Sequence, residues 1–291
     1  MRAVVVPVRR LNAAKTRLAP VLSAHERAGV ALAMARDVVA GCTAQAGWET
    51  WVVSADPTVL RDADRAGARP VPEEGTTLLG AIRQAERVAA AEGAEALAVV
   101  LADLPWISRA ALARVLAPEV PVAAVRARSD GGTNALVRRP PDVIPALFGR
   151  ASFERHVRAA ARAGLGVRSV AAEELAFDLD RPDDIRRLLE DGREGNMLDA
   201  CLDMGLAERL GAGSPVLHRQ EGEMQGTIKE FDVDSGTGSL LLDDGTEVAI
   251  DPASTEGSEI RSLRLGQRVD FDLDEVGDRK TARGLHIVTF A

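Results

Sequence analysis

Three stretches of this chain carry side chains whose types and spacing suit phosphate and metal chemistry. The first is Leu101-Ala102-Asp103-Leu104, which closes the apolar run Ala96-Leu97-Ala98-Val99-Val100. A run of that length, bounded by Glu92-Gly93 and Pro105, suits a strand buried on both faces of a parallel sheet. Ligands bind such sheets at the carboxyl ends of their strands. A carboxylate there can hold a hard cation such as Mg2+, which takes one or two protein carboxylates plus phosphate oxygens. Equally, Asp103 can cap the helix expected near Ser108 or turn the chain before Pro105.

The second stretch is the acidic segment Phe177-Asp178-Leu179-Asp180-Arg181-Pro182-Asp183-Asp184. If it is a short strand, Asp178 and Asp180 point to one face and repel each other unless a cation lies between them. Capping of a helix that begins at Pro182 accounts for Asp180 or Asp183 as well. The third is the basic loop that follows the first apolar run, Pro7-Val8-Arg9-Arg10-Leu11-Asn12-Ala13-Ala14-Lys15-Thr16-Arg17-Leu18. Lys15 offers a point charge and Arg17 a planar fork to a triphosphate. No glycine-rich Walker pattern is present, so this is not a P-loop. Two amide-rich turns add anion-binding capacity: Ser129-Asp130-Gly131-Gly132-Thr133-Asn134, which also reads as an ordinary hairpin turn, and Phe148-Gly149-Arg150-Ala151-Ser152 before a helix.

To bring these stretches together the chain must alternate strands and helices, and it does. Short apolar runs predict strands at 2–8, 49–54, 96–102, 121–126, 134–138 and 166–170. Ser23 with Glu26 reads as a capping box opening a helix to about Gln45, and further helices are predicted over 76–91, 108–117, 151–163 and 182–190. The pattern implies an α/β fold with a mostly parallel sheet flanked by helices. A helix from Met197 to Leu210 would close a first domain at residue 211. Gly211-Ala212-Gly213-Ser214-Pro215 opens a linker over 212–222, and five short runs separated by Gly-rich turns predict a small β-barrel over 223–291.

Composition narrows the class. With 291 residues, 46% of them hydrophobic, the chain can fill about two cores. Two cysteines without metal-ligand spacing support neither a disulfide framework nor a zinc site. The N-terminal apolar stretch is too short for a signal peptide and no run has the length of a membrane helix. A soluble, cytoplasmic protein without a membrane partner is expected. Residues 222–291 hold 15 acidic against 7 basic residues, while the first 221 hold 29 of each. The whole net charge of -8 therefore sits in the C-terminal region, which repels a phosphate backbone.

In their order, Val5 to Leu18, Leu101-Ala102-Asp103-Leu104-Pro105, Gly131-Gly132-Thr133-Asn134, Phe148-Gly149-Arg150-Ala151-Ser152 and Asp178-Leu179-Asp180-Arg181-Pro182-Asp183-Asp184 resemble the phospholactate guanylyltransferase family. That family includes the bacterial phosphoenolpyruvate guanylyltransferases. The resemblance covers roughly residues 1 to 190. It implies a nucleotide-diphospho-sugar transferase-like fold, GTP and a small phosphorylated acid as substrates, Mg2+ as cofactor, and a place in coenzyme F-420 biosynthesis. Carried over, it makes Asp103, Asp178 and Asp180 metal ligands, places Lys15, Arg17 and Asp103 in catalysis, and puts Thr133, Asn134, Gly149 and Ser152 around the acid. Where relatives carry Gly-Leu-Asn, this chain reads Thr77-Leu78-Leu79. Transfer to another phosphorylated cofactor precursor is the alternative.

Residues 224–291 resemble a cold-shock-type five-stranded barrel, a class that binds single strands on aromatic rings over a basic face. The aromatic motifs are missing: Gly236-Thr237-Gly238-Ser239-Leu240 and Glu247-Val248-Ala249-Ile250-Asp251 stand in their places. Nucleic acid is therefore not the expected partner, and packing, homodimer formation or regulation is. None of the histidines is needed for the chemistry; His25 and His156 lie on predicted helices as surface or packing residues, and His218 lies in the linker.

Overall fold

Alternation in the strands dictates the layers. In the computed structural model, which describes residues 1–117, 120–211, 224–233, 235–242, 245–255, 263–276 and 279–287, the chain divides into compact units Met1–His218 and Arg219–Ala291. The first contains, in order, β1 (Arg2–Val8), α1 (Ala24–Thr43), β2 (Glu49–Ser54), α2 (Pro57–Arg65), β3 (Arg69–Pro72), α3 (Leu78–Ala91), β4 (Ala96–Val100), α4 (Arg109–Leu116), β5 (Val122–Arg126), β6 (Thr133–Arg138), α5 (Ser152–Arg162), β7 (Arg168–Ser169), α6 (Glu173–Ala176), α7 (Pro182–Asp191), α8 (Asn196–Asp203) and α9 (Leu206–Arg209).

The seven strands form one sheet in the order β3-β2-β1-β4-β6-β5-β7. The pairs β3–β2, β2–β1, β1–β4 and β5–β7 are parallel, and β6 runs antiparallel to both β4 and β5. Val4, Val6, Val52, Ala98 and Val100 face one side, where α1, α2 and α4 cover them. Ala3, Val5, Trp51, Val53, Leu97 and Val99 face the other, under α3 and α5. Each fully buried valine contributes roughly 1.5–3 kcal/mol. A one-residue slip would exchange the two sets, so burial fixes the register.

The capping box at α1 is present: Ser23 Oγ accepts from Glu26 N and Glu26 Oε2 accepts from Ser23 N. Other expectations need correction. The α2–β3 pair was not predicted, and the strand expected at 166–170 shrinks to two edge residues. The single helix expected over Met197–Leu210 breaks into α8 and α9 at Gly205, whose φ of 64° is left-handed. The expected linker, 212–222, lies outside the described residues. No helix among the described residues is long and apolar enough to cross a membrane.

The second unit contains β8 (Met224–Asp232), β9 (Thr237–Leu242), β10 (Glu247–Ile250), β11 (Arg268–Val276) and β12 (Arg279–Ile287). They pair in the order β10-β12-β11-β8-β9. Ile228, Leu240, Val248, Val269 and Phe271 form its buried core, with Phe231 packed partly against it.

Candidate active site

The carboxyl ends of β1 and β4 and the start of β6 lie at one edge of the sheet, because β6 alone is reversed. The loops leaving this edge carry the three stretches singled out by chemistry. Asp103 follows β4 by three residues, and it is not a helix cap. That role belongs to Ser108, whose Oγ accepts from Ala111 N at 3.1 Å. Asp180 is not a helix cap either. Asp184 Oδ2 accepts from the amides of Asp180 and Arg181, and Pro182 opens α7. Both capping alternatives are thereby removed, and no strand forms over 177–180.

What lies between the carboxylates is Lys15. Its ammonium donates to Asp103 Oδ2 at 3.0 Å, Asp180 Oδ1 at 3.1 Å and Leu179 O at 2.6 Å. The cation that like charges require is thus supplied, for this pair, by the chain itself. Burial works against the ammonium, but the charges and hydrogen bonds of Asp103 and Asp180 outweigh it and hold its pKa above the ordinary lysine value. Lys15 has φ 51°, a left-handed conformation in which a non-glycine residue is strained. Arg17 bonds the other oxygen of Asp180 at 2.9 Å.

Two packing devices hold the acidic segments together. Leu179 N donates to Asp103 O at 3.1 Å. Trp106, three residues past Asp103, stacks on Phe177, just before Asp178, with ring centroids 4.0 Å apart, and Arg187 lies over both rings. Asp178 accepts from Ser129 Oγ. Burial raises the Asp178 pKa, the Ser129 bond opposes that, and the charges of Asp103 and Asp180 add to it. Asp103 Oδ1 and Asp178 Oδ1 are buried without a hydrogen-bond partner. A buried oxygen of this kind is costly unless something satisfies it. Among the described residues no group of three or more His, Cys, Asp or Glu side chains is arranged to hold a metal. Two orphaned carboxylate oxygens fit a cation that completes its shell with phosphate oxygens, as Mg2+ does.

The amide-rich turns form a second cluster. Ala151 N bonds Asp130 O and Phe153 N bonds Gly131 O, which stitches the 129–132 turn to the start of α5. Ser152 Oγ donates to Thr133 Oγ1 at 3.0 Å, and both residues are buried. Asn134 does something else: its amide donates to Leu175 O and Ala176 O, propping the segment that leads to Asp178. Gly149 is exposed, with its carbonyl accepting from Ser152 N.

His156, expected as a surface or packing residue, is fully buried and completes this cluster. Its Nε2 accepts from Leu147 N at 2.8 Å, so the ring proton belongs on Nδ1, 3.0 Å from Thr133 Oγ1. Burial, then the charges of Arg138 and Arg155, lowers its pKa to about 4. A lone histidine on a helix carries no sequence signature; only the packing of α5 against the start of β6 reveals it. Ala151, which precedes Ser152, is left-handed at φ 52°.

Two open clefts meet at the charged cluster and the 129–130 turn, and Thr133, Asn134, Gly149 and Ser152 line neither of them. One, of about 430 Å³, is lined by Lys15, Arg17, Asp103, Asp130 and Asp180. The other, of about 480 Å³, is lined by Ser129, by five arginines, Arg17, Arg128, Arg150, Arg181 and Arg187, and by the carboxylates of Asp130, Asp178, Asp180 and Asp184. Carboxylates holding a cation beside an arginine-lined basin suit the joining of two anions.

A family described as guanylyl transferase CofC like matches residues 1–207. The chain belongs to this family. Phosphoenolpyruvate guanylyltransferase of Rubrobacter xylanophilus is 44% identical over 193 residues, covering 65% of this chain and 93% of the relative. 2-Phospho-L-lactate guanylyltransferase of Haloarcula marismortui is 41% identical over 175 residues, covering 60% and 79%. The chain is therefore an enzyme of the nucleotidyltransferase class. In fold it is similar to a crystallised chain from Desulfovibrio desulfuricans described as a nucleotide-diphospho-sugar transferase, with a TM-score of 0.58 at 17% identity, covering 72% of this chain and 97% of that one. The family match ends at residue 207, before the second unit.

Proposed function

We propose that this enzyme transfers GMP from GTP to a phosphorylated three-carbon acid and releases pyrophosphate. Phosphoenolpyruvate, 2-phospho-L-lactate and 3-phosphoglycerate are the candidate acceptors, and the product would serve coenzyme F-420 biosynthesis. The observation that carries this reading is the meeting of Lys15, Asp103, Asp178 and Asp180 beside an arginine-lined basin, in a chain whose relatives are named for guanylyl transfer.

In the reaction a phosphate oxygen of the acid attacks the α-phosphorus of GTP. The new P–O bond forms as the bond from the α-phosphorus to its bridging oxygen breaks, and that oxygen leaves with its electron pair on pyrophosphate. The attacking phosphate is ionised near neutral pH, so no protein base is required, and positioning with charge neutralisation carries catalysis. Asp103 and Asp178 would hold Mg2+ through their unpartnered oxygens, with Asp180 nearby. When bound, Mg2+ offsets phosphate charge and makes pyrophosphate a better leaving group. Lys15 fixes Asp103 and Asp180 relative to each other, and Arg17 presents its exposed fork toward anions in either cleft. The Thr133–Ser152–His156 cluster sets the turn that faces the acid.

Pyrophosphate release with a panel of nucleotides and phospho-acids tests the reading. GTP with at least one three-carbon phospho-acid should give stoichiometric release, and none with any of them would refute it. For the second unit, the pairing of β9 with both β8 and β10 supports a small closed barrel of cold-shock type. Its buried Phe271 and the acidic balance of the region favour a packing role over strand binding.

A further inference from the structure

Resting on the guanylyl-transfer reading, we infer that Glu73 reads the guanine base and sets the nucleotide preference of the enzyme. A side cavity of about 210 Å³ opens where β1, β2 and β3 end, and Glu73 lines it. The cavity shares Pro7, Val8, Arg9, Ala13 and Leu78 with the cleft that holds Lys15 and Asp103. A nucleotide with phosphates beside Lys15 and Asp103 therefore has this cavity within reach of its base. The walls suit a flat aromatic ring: Pro7, Val8, Val53, Leu78 and Ala81 are apolar.

Glu73 is the one carboxylate among the residues lining this cavity. Its backbone is held on both sides. Glu73 N donates to Ser54 O at 2.9 Å, and Gln84 from α3 binds both Glu74 N and Pro72 O. The carboxylate itself makes no hydrogen bond or ion pair among the described residues, although it is half-buried. Burial raises its pKa while the charges of Arg10 and Arg9 oppose that, so a half-buried acceptor stands in the cavity wall without a protein donor.

Guanine supplies what this acceptor lacks. Its Watson–Crick edge presents N1–H and the N2 amine side by side, two donors matched to the two oxygens of a carboxylate. Adenine and cytosine each place one donor beside a ring lone pair, which a carboxylate repels. Sites built around such a hydrogen bond reject the analogue that cannot make it. Arg9 and Arg10 at the same cavity are cations suited to the O6 and N7 acceptors of guanine.

The test compares GTP with inosine triphosphate, which keeps N1–H but lacks the N2 amine, in the full-length chain and its Glu73→Gln variant. The wild type should prefer GTP at least about tenfold in kcat/KM. Glu73→Gln should lower kcat/KM for GTP by about 10–100-fold, leave inosine triphosphate within about threefold, and so collapse the ratio. A folded variant that keeps the wild-type ratio, or a wild type without preference, would overturn the assignment. If Glu73→Gln loses its thermal transition, Glu73→Asp withdraws the carboxylate by one methylene and should collapse the same ratio. The two levels of inference fail separately. GTP binding measured by calorimetry against inosine triphosphate reads Glu73 even if no phospho-acid accepts GMP, and turnover with an unchanged ratio removes Glu73 alone.

Discussion

Two polar clusters share one edge of the sheet and are held together by opposite means. Around Lys15, charge holds charge: a buried ammonium is satisfied by Asp103, Asp180 and a backbone carbonyl. Around Thr133, hydroxyls and a neutral imidazole bond one another with no net charge at all. The difference matches what each side has to meet. The first must keep negative side chains together and still leave Asp103 Oδ1 and Asp178 Oδ1 without protein partners. The second fixes the start of β6 against the start of α5, a task that hydrogen-bond geometry performs without fixed charge.

The largest effect should come from the charged cluster. Asp103→Asn keeps the size of the side chain but weakens its hold on a cation and on Lys15, and pyrophosphate release should fall by about 1000-fold, with the thermal midpoint little changed. Retained turnover would erase the distinction between the clusters. In the neutral cluster, His156→Leu leaves Leu147 N–H without its partner and the Thr133 hydroxyl with Ser152 alone, and should cost about 2–3 kcal/mol by denaturant titration. The same variant should raise KM for the acid by about tenfold while KM for GTP stays near wild type. Equal changes in both would mean that the two clusters are one.

Acid and alkali should break them separately. The lowered pKa of His156 means that the unfolded state binds its proton first. The contribution of His156 is then complete above pH 6.5 and lost as pH falls toward about 4, at most about 3 kcal/mol. Asp178, raised, works against this in acid, so the loss is read as the difference between wild type and His156→Gln in urea midpoints from pH 4 to 7. Lys15, also raised, contributes fully below 10.5 and loses its contribution only in stronger alkali. A variant insensitive to neither range would leave the two clusters indistinguishable. The smallest effect concerns backbone strain: Ala151→Gly relieves a left-handed alanine and should stabilise the chain by about 0.5 kcal/mol in the same titration.

Much of this was legible in the residues. The buried run before Asp103, the capping box at Ser23 and the reach of α7 from Pro182 follow from periodicity and caps, which act over a few residues. The missed elements obey rules that the same sequence displays less loudly. β3 reads Arg69-Pro70-Val71-Pro72, and its prolines are tolerated because it is an edge strand. Asp56-Pro57 is a cap followed by a proline at the first helical position, a start signal for α2. What sequence could not yield is contact between distant segments. That Lys15 would insert between Asp103 and Asp180, that Asn134 would face α6, and that His156 would sit behind Thr133 depend on how layers pack. Residue type alone left Asp103 and Asp180 divided between cap and ligand, and the bonds of Ser108 and Asp184 removed the cap reading.

The bonds from Lys15 to Asp103 and Asp180 close loops of 88 and 165 residues. Contacts of such long range form only after most of the intervening chain is in place. Catalytic competence should therefore return late in refolding, and a nascent chain should stay inert until the ribosome has released the segment around Asp180.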